Sequence, residues 1–420
     1  MPAHYPARSS LRTVATAAAI LGLTTLFTPA RADFWHILDL GTLDSGASQG
    51  FFINASGQVV GNSLFGITGN NHAFRTAPGG LISDPGADLG TLGGSQSFAY
   101  GINAAGQVTG DSDLTGNATF HAFRTTAAGS LSDATATDLG TLGGTASSGY
   151  AINASGQVTG LSDTTGDLTG HAFRTSATGL ISDPGTDLGA FAGDISYGYG
   201  INDSGQVTGL SLLSNSAAHA FRTTAIGLIT DPGTDIGTLG GDISAGYAIN
   251  ASGQVAGVSF LTGNFFQHAF RTTAGGLVSD PGTDLGTLGG DNSFASGLNN
   301  AGDVVGDSED SFGDVRAFLY TDAFGMQDLN ALLAPTDQAL WFLEEATSLN
   351  DNGQITGFGI IDGQEHAFLL SRDATDTPEP GTVALFTSLG LVGATLVRRP
   401  KRRASLLPPR TGPTGPNTGI

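Results

Sequence analysis

The chain has 420 residues, of which 65 are glycine and none is cysteine, and its formal net charge is −21. Between Asp33 and Thr377, seven arginines stand against 36 acidic residues, a net of −29, and so acidic a body repels nucleic acid and anionic membrane surfaces. Without disulfides the fold must rest on its core and hydrogen bonds, and glycine at about twice its usual share of roughly 7% points to many tight turns.

The first element is an address. Arg8 and Arg12 precede an apolar run at 13–27, and the small residues Ala30 and Ala32 occupy the two positions that a signal peptidase reads. That order predicts a secretory signal over 1–32, cut before Asp33.

From 33 to 372 the sequence repeats itself. The string INxxGQVxG places turn asparagines at Asn54, Asn103, Asn153, Asn202, Asn250, Asn299 and Asn350, at intervals of 48 to 51 residues. Each is followed by a string of the type HAFR, and DLGTLGG-like strings separate the units. Within a unit, SFAYGIN alternates and runs into a turn. NAAGQ supplies Asn at the turn and Gly where φ must be positive. QVTGDS returns, HAFRT makes a third strand, SDPGTD a second turn with Pro fixing φ, and DLGTL a fourth strand. No long helical period occurs. Four short strands in about 49 residues predict an all-β chain and a seven-bladed β-propeller. The last unit lacks its fourth strand, and a spare one lies at 34–43, so pairing of 34–43 with Ala367 to Leu370 would close the ring. The alternative is a β-solenoid, which would need capping units.

The three recurring strings resemble the bacterial extracellular HAF repeat family over residues 34–371. The double glycine of TLGG also resembles that of kelch repeats, without the kelch tryptophan. The HAF resemblance implies export and a propeller, and no established activity. Unit six departs from the pattern, with Arg316 for His and Leu319 for Arg; unit seven has Leu369 for Arg.

His72, Arg75, His121, Arg124, His171, Arg174, His219, Arg222, His268 and Arg271 could be read as sites for an anion or a metal. Seven similar copies around a ring point in seven directions, whereas a catalytic or metal site needs unlike groups converging on one point. They are therefore read as blade-building residues, with no catalytic and no metal site among them. Each Arg is expected to pair with the Asp of the next strand, as Arg124 with Asp138. Phe51, Tyr100, Tyr150, Tyr199 and Tyr247, three residues before the turn asparagines, could form a sugar platform. Period-2 alternation instead puts each on the core face of the neighbouring Ile, such as Tyr150 with Ile152. The Asn-x-Ser sequons of the turns are explained by turn chemistry. The carboxylate-rich loops 111–117, 162–167 and 307–314 are candidates for calcium, the one cofactor considered. The irregular stretch 320–348, with Trp341 and the adjacent Glu344 and Glu345, is where a break in symmetry is expected.

The tail carries a second address: a linker at 373–380, an apolar span at 381–397 and a basic end at 398–420. Pro378-Glu379-Pro380, the span, and the cluster Arg398, Arg399, Lys401, Arg402 and Arg403 resemble the PEP-CTERM sorting signal of Gram-negative bacteria. Here a Pro/Gly-rich extension at 404–420 follows the cluster. The resemblance implies a transient inner-membrane anchor, removal by an exosortase, and delivery to the cell surface or extracellular matrix. The sequence as a whole predicts a non-enzymatic module that binds extracellular polysaccharide or a surface protein through rim loops. A secreted polysaccharide hydrolase or lyase and a purely structural matrix protein are the alternatives, since propellers host unrelated functions.

Overall fold

The computed structural model describes residues 34–372 apart from 45, 67, 68, 134, 135 and 168. The expected signal segment, PEP motif, apolar span and basic cluster lie outside the described residues. Among those described, no helix is long and apolar enough to cross a membrane.

The body is all-β, a succession of small, mainly antiparallel sheets. The described chain opens with β1 (Trp35–Gly41). Unit one supplies β2 (Ser48–Ile53), β3 (Val59–Phe65), β4 (Asn70–Arg75) and β5 (Asp88–Gly90), hydrogen-bonded in that order. Unit two repeats the plan with Gly93–Ile102, Val108–Leu114, Phe120–Arg124 and Thr137–Asp138. In units three and five the expected fourth strand shrinks to one bridge, Phe173 to Asp187 and Phe270 to Asp284. In unit seven the strand Gln364–Arg372 pairs antiparallel with β1, Asp39 lying opposite Phe368 and Gly41 opposite Ala367. The stretch before unit seven holds two single-turn helices, Leu329–Leu332 and Pro335–Gln338. Four residues are too few to write a helical period into a sequence.

Local chemistry explains the repeated turn. The Asn153 side chain accepts the backbone N–H of Gln157 at 3.0 Å, and Gly156 takes a φ of 90° that disfavours any side chain. The return strand then runs so close to the inner strand that a Cβ on Gly160 would collide with the Ser148 carbonyl oxygen. Each inner strand carries a β-bulge at this level, between Gly149 and Ala151 in unit three. The extra residue bends the strand and redirects its side chains.

The core lies between sheets. The Phe of every HAF string, Phe74 through Phe368, is wholly buried. Between units two and three, Ala122 and Leu139 pack with Ile152, Val158, Phe173 and Ile181. Leu40, Ala367 and Leu369 pack in the same way against Ile53, Val59 and Phe74 of unit one. No unit has a core of its own, so each sheet depends on its neighbours.

Gly160→Ala should lower stability by about 1–3 kcal/mol through overpacking. Urea unfolding would register this as a lower midpoint with an unchanged slope.

Candidate functional site

The motif residues are engaged in the scaffold. In six units the motif histidine bonds through Nδ1 to the Asp of the outer edge: His72–Asp88 at 3.0 Å, His121–Asp138 at 2.8 Å, His171–Asp187 at 3.0 Å, His219–Asp235 at 2.9 Å, His268–Asp284 at 2.8 Å and His366–Asp39 at 3.0 Å. Each Asp also accepts the N–H of the Gly two residues on, as Gly189 to Asp187 at 2.7 Å. Burial pushes the Asp187 carboxyl up, but the His171 and Gly189 hydrogen bonds outweigh it and hold the group below the usual carboxylate range. Asp88, Asp138, Asp235 and Asp284 behave alike. The Asp187 hydrogen bond in turn raises His171, against burial.

The expected Arg–Asp pairs are absent, and strand parity is the reason. In unit two Asp138 lies opposite Phe123, so it shares a face with His121, two residues away, and not with Arg124. Arg124 instead donates from Nη1 to the carbonyls of Gly156 at 3.0 Å and Ser176 at 3.4 Å, and from Nη2 to that of Gly179 at 3.3 Å. All three acceptors belong to the next unit. Arg75, Arg174 and Arg222 repeat this tie. Arg271 donates to Gly302 and to Asp322. In unit six Arg316 bonds Asp310 at 3.2 Å instead of the outer Asp. Leu319 and Leu369, at Arg positions, are core residues.

The turn asparagines are buried. Asn153 Nδ2 donates to Gln157 Oε1 at 2.9 Å and to the Asn202 carbonyl at 3.1 Å. Its nitrogen is thus committed inside the protein, which rules out the sequon reading for that residue. A serine six residues before the turn asparagine also ties units, a role that sequence reasoning missed although the serine recurs in six units. Ser147 accepts the Ala122 N–H at 2.9 Å and donates to the Gly140 carbonyl at 2.7 Å.

The aromatic positions behave differently from expectation. The bulge at Tyr150 breaks the alternation, so Ile152 enters the inter-sheet core while the Tyr150 ring meets aromatic neighbours on the adjoining inner strands. A continuous row results: Phe51–Tyr100 at 5.7 Å, Tyr100–Tyr150 at 5.7 Å, Tyr150–Tyr199 at 5.5 Å and Tyr199–Tyr247 at 5.0 Å between ring centres. In units six and seven the same position holds Ser296 and Thr347. The four tyrosines are partly buried and keep some accessible surface.

The row ends at a pair of carboxylates. Between units two and three, Asp111 accepts a hydrogen bond from Ser148 at 2.8 Å. Three other junctions place Leu161 and Tyr197, Leu210 and Ala245, and Val258 and Phe294 at the corresponding positions. Between units six and seven those positions are Asp307 and Glu345. Burial, then the charge of Glu345, holds Asp307 well above the usual carboxylate range. Burial raises Glu345, Glu365 adds to the shift, and the Ser296 hydroxyl, donating at 3.1 Å, opposes it. Two such carboxylates titrate as a unit. The neighbouring Tyr247 hydroxyl is pushed up to about 12, first by burial and then by Glu345 and Asp307.

The irregular stretch thus contributes Glu345. Glu344 falls at a register shift between Leu343 and Glu345. Trp341 is a core residue, edge-on to Phe368. Of the candidate calcium loops, Asp167 accepts the Thr145 N–H of the inner strand at 2.7 Å, Asp310 accepts the N–H groups of Phe312 and Asp314 in its turn, and Asp111 and Asp307 lie in strands. Among the described residues, no group of three or more His, Cys, Asp or Glu is placed to hold a metal ion.

No family model matches the chain, and no curated protein matches it. Solved structures similar to it include a protein described as TolB from Agrobacterium tumefaciens, at 15% identity and a TM-score of 0.38, covering 63% of this chain and 85% of that one. Another is the BP39L lectin from Burkholderia pseudomallei, at 12% identity and a TM-score of 0.36, covering 80% and 95%.

Two predictions follow from the motif geometry. Arg174→Leu should cost about 2–3 kcal/mol, because charged hydrogen bonds to three carbonyls of the next unit are lost. A double-mutant cycle of Arg174 with Asp187 should then show coupling below about 0.5 kcal/mol, unlike the cycle of His171 with Asp187. The pair His171–Asp187 should also be visible in the pH dependence of Tm. Asp187 is lowered, so its contribution is complete above the ordinary Asp value of about 4 and is lost as pH falls through the depressed one. His171 is raised, so its contribution is complete below the ordinary His value of about 6.5 and is lost as pH rises through the elevated one. The Tm difference between the native chain and Asp187→Asn should therefore be greatest between those ordinary values. It should be small, because Asp187 is 46% exposed and screened by solvent.

Proposed function

We propose that the chain is an exported, surface-sorted, non-enzymatic propeller of seven blades that binds extracellular polysaccharide in the space ringed by its inner strands. Support for a closed ring comes from both ends of the chain. Inner strands of successive units touch in order, and Trp341–Leu349 of unit seven touches β2 of unit one. Asn350 Nδ2 donates to the Asn54 carbonyl at 2.9 Å, and Ala367 N–H to Ser48 at 2.9 Å. These are the bonds that join each pair of neighbours from unit one to unit six, whereas a solenoid would hold its first and last repeats apart. Export and surface sorting rest on the terminal signals and on the HAF and PEP-CTERM resemblances.

The observation that carries the binding reading is the break in symmetry among the inner strands. The repeated His and Arg and the buried turn Asn make bonds within the scaffold, while the aromatic row and the Asp307–Glu345 pair border an internal space. Aromatic surface beside a few polar groups suits a saccharide, whose rings offer C–H faces and hydroxyls. This site lies at the centre, and the variable loops between second and third strands, several with exposed Phe such as Phe265 and Phe312, would frame its approach.

The test incubates the purified full chain with extracellular polysaccharide from the source organism, with and without calcium, following retention and new reducing ends. Saturable retention without new ends is expected, and Tyr199→Ala should weaken it. New reducing ends would replace the binding module by a hydrolase or lyase acting through Asp307 and Glu345. Absence of both signals would leave the structural matrix role.

A further inference from the structure

Resting on that reading, we propose that Asp307 and Glu345 receive a protonated amine, so that the polysaccharide bound is one with free amino sugars. The two carboxylates occupy a position that is apolar at three other junctions and hydrogen-bonded at a fourth. Both are partly buried, and burial is the first cause that raises each carboxyl. The Asp307 carboxylate draws a hydrogen bond from its own backbone N–H and otherwise faces Glu345 and Glu309, both acidic. Glu345 has the Ser296 hydroxyl on one side and the charge of Glu365 on the other; Glu365 itself bonds Gln49 at 2.9 Å. The charges that raise the two carboxyls are thus those of other carboxylates.

In a space of low dielectric two adjacent carboxylates cannot both ionise without a counter-charge. A proton shared by the two would supply it. A ligand cation would supply it better, because it could accept both charges. Two carboxylates form too small a set for a metal, and no larger set is present among the described residues. An ammonium group fits: three N–H donors, two carboxylate acceptors, and the ring of Tyr247 beside them for a cation–π contact. Ser296 and Thr347, replacing the aromatic residue in these two units alone, leave the side-chain volume for it. Net charge acts in the same sense, since a body at −29 repels uronate-rich or sulfated polymers and attracts cationic ones.

The full chain in detergent would be titrated calorimetrically, at about pH 6 where a sugar amine is charged, with the β-1,4 tetramer of glucosamine and with its N-acetylated form. The glucosamine tetramer should bind tighter by roughly tenfold or more, and Asp307→Asn and Glu345→Gln should each abolish that preference. Comparison of buffers with different ionisation enthalpies should show release of about one proton per ligand, the proton that the amine displaces. Both variants remove a buried charge, so their melting temperatures should not fall, which separates lost binding from lost folding. Equal affinity for the two tetramers, or a preference that survives in both variants, would overturn the inference. If both tetramers bind equally and Tyr199→Ala weakens both, the saccharide site stands and only its ammonium selectivity fails. If neither tetramer binds, the inference fails, and retention of the whole polysaccharide decides separately whether the broader reading does.

Discussion

The structure depends on one hydrogen bond written at nearly every junction: the buried turn asparagine of a unit donates to the backbone carbonyl of the next unit's turn asparagine. Asn54 reaches Asn103, Asn103 reaches Asn153, and so on to Asn250 and Asn299, at 3.0–3.1 Å. The same side chain organises its own turn by accepting the N–H of the residue four positions on. A buried amide must find partners, and at these junctions the geometry that satisfies it also fixes the distance between neighbours. The outer part of each sheet follows. Serine ties the third strand of one unit to the inner strand of the next, arginine ties the motif strand to two loops of the next, and phenylalanine fills the layer between.

A scaffold of this kind limits where function can reside. Each repeated polar group is needed at its junction, and altering one weakens the contact between two units. The histidines illustrate the limit. His171 could have been a ligand by composition, but its Nδ1 is directed at Asp187, and the equivalent histidines lie in separate sheets. Chemistry is left to positions where the repeat tolerates change: the inner-strand residues of the aromatic row and their equivalents, and the loops between second and third strands.

Much of the fold was legible because the repeat is written in residues with strong local rules. Turn asparagine and glycine, period-2 strands and the Pro-containing turn locate the sheets, and the spare strand at 34–43 locates the partner of Gln364–Arg372. The failures share one physical origin, the phase of side chains along strands. The motif H-x-x-R already places His121 and Arg124 on opposite faces, but which face Asp138 shares depends on the pairing register, which a sequence does not state. A single bulge residue inverted the expected face of Tyr150 relative to Ile152. Asp307 and Glu345 both stood in stretches noted as carboxylate-rich or irregular. Their meeting required knowing that the middle strand of one unit lies against the inner strand of the next, a relation between residues 38 positions apart that no local rule encodes.

The acid pair is best weighed against its own equivalents. Leu161 with Tyr197, and Val258 with Phe294, show that this junction packs well with apolar side chains, and replacing buried charge by apolar groups of similar volume is commonly neutral or stabilising. Asp111 with Ser148 shows that an acid there can also accept a hydrogen bond from a hydroxyl across the junction. Neither solution is used between units six and seven. The second carboxylate stands where unit three has a serine, and the aromatic residue three positions before the turn is replaced by serine and threonine in just those two units. A drift of one residue would need no explanation. Two coordinated departures at one place, each unfavourable or space-leaving by itself, are what a binding site imposes on a repeat, because strain and unpaired charge persist where a ligand relieves them.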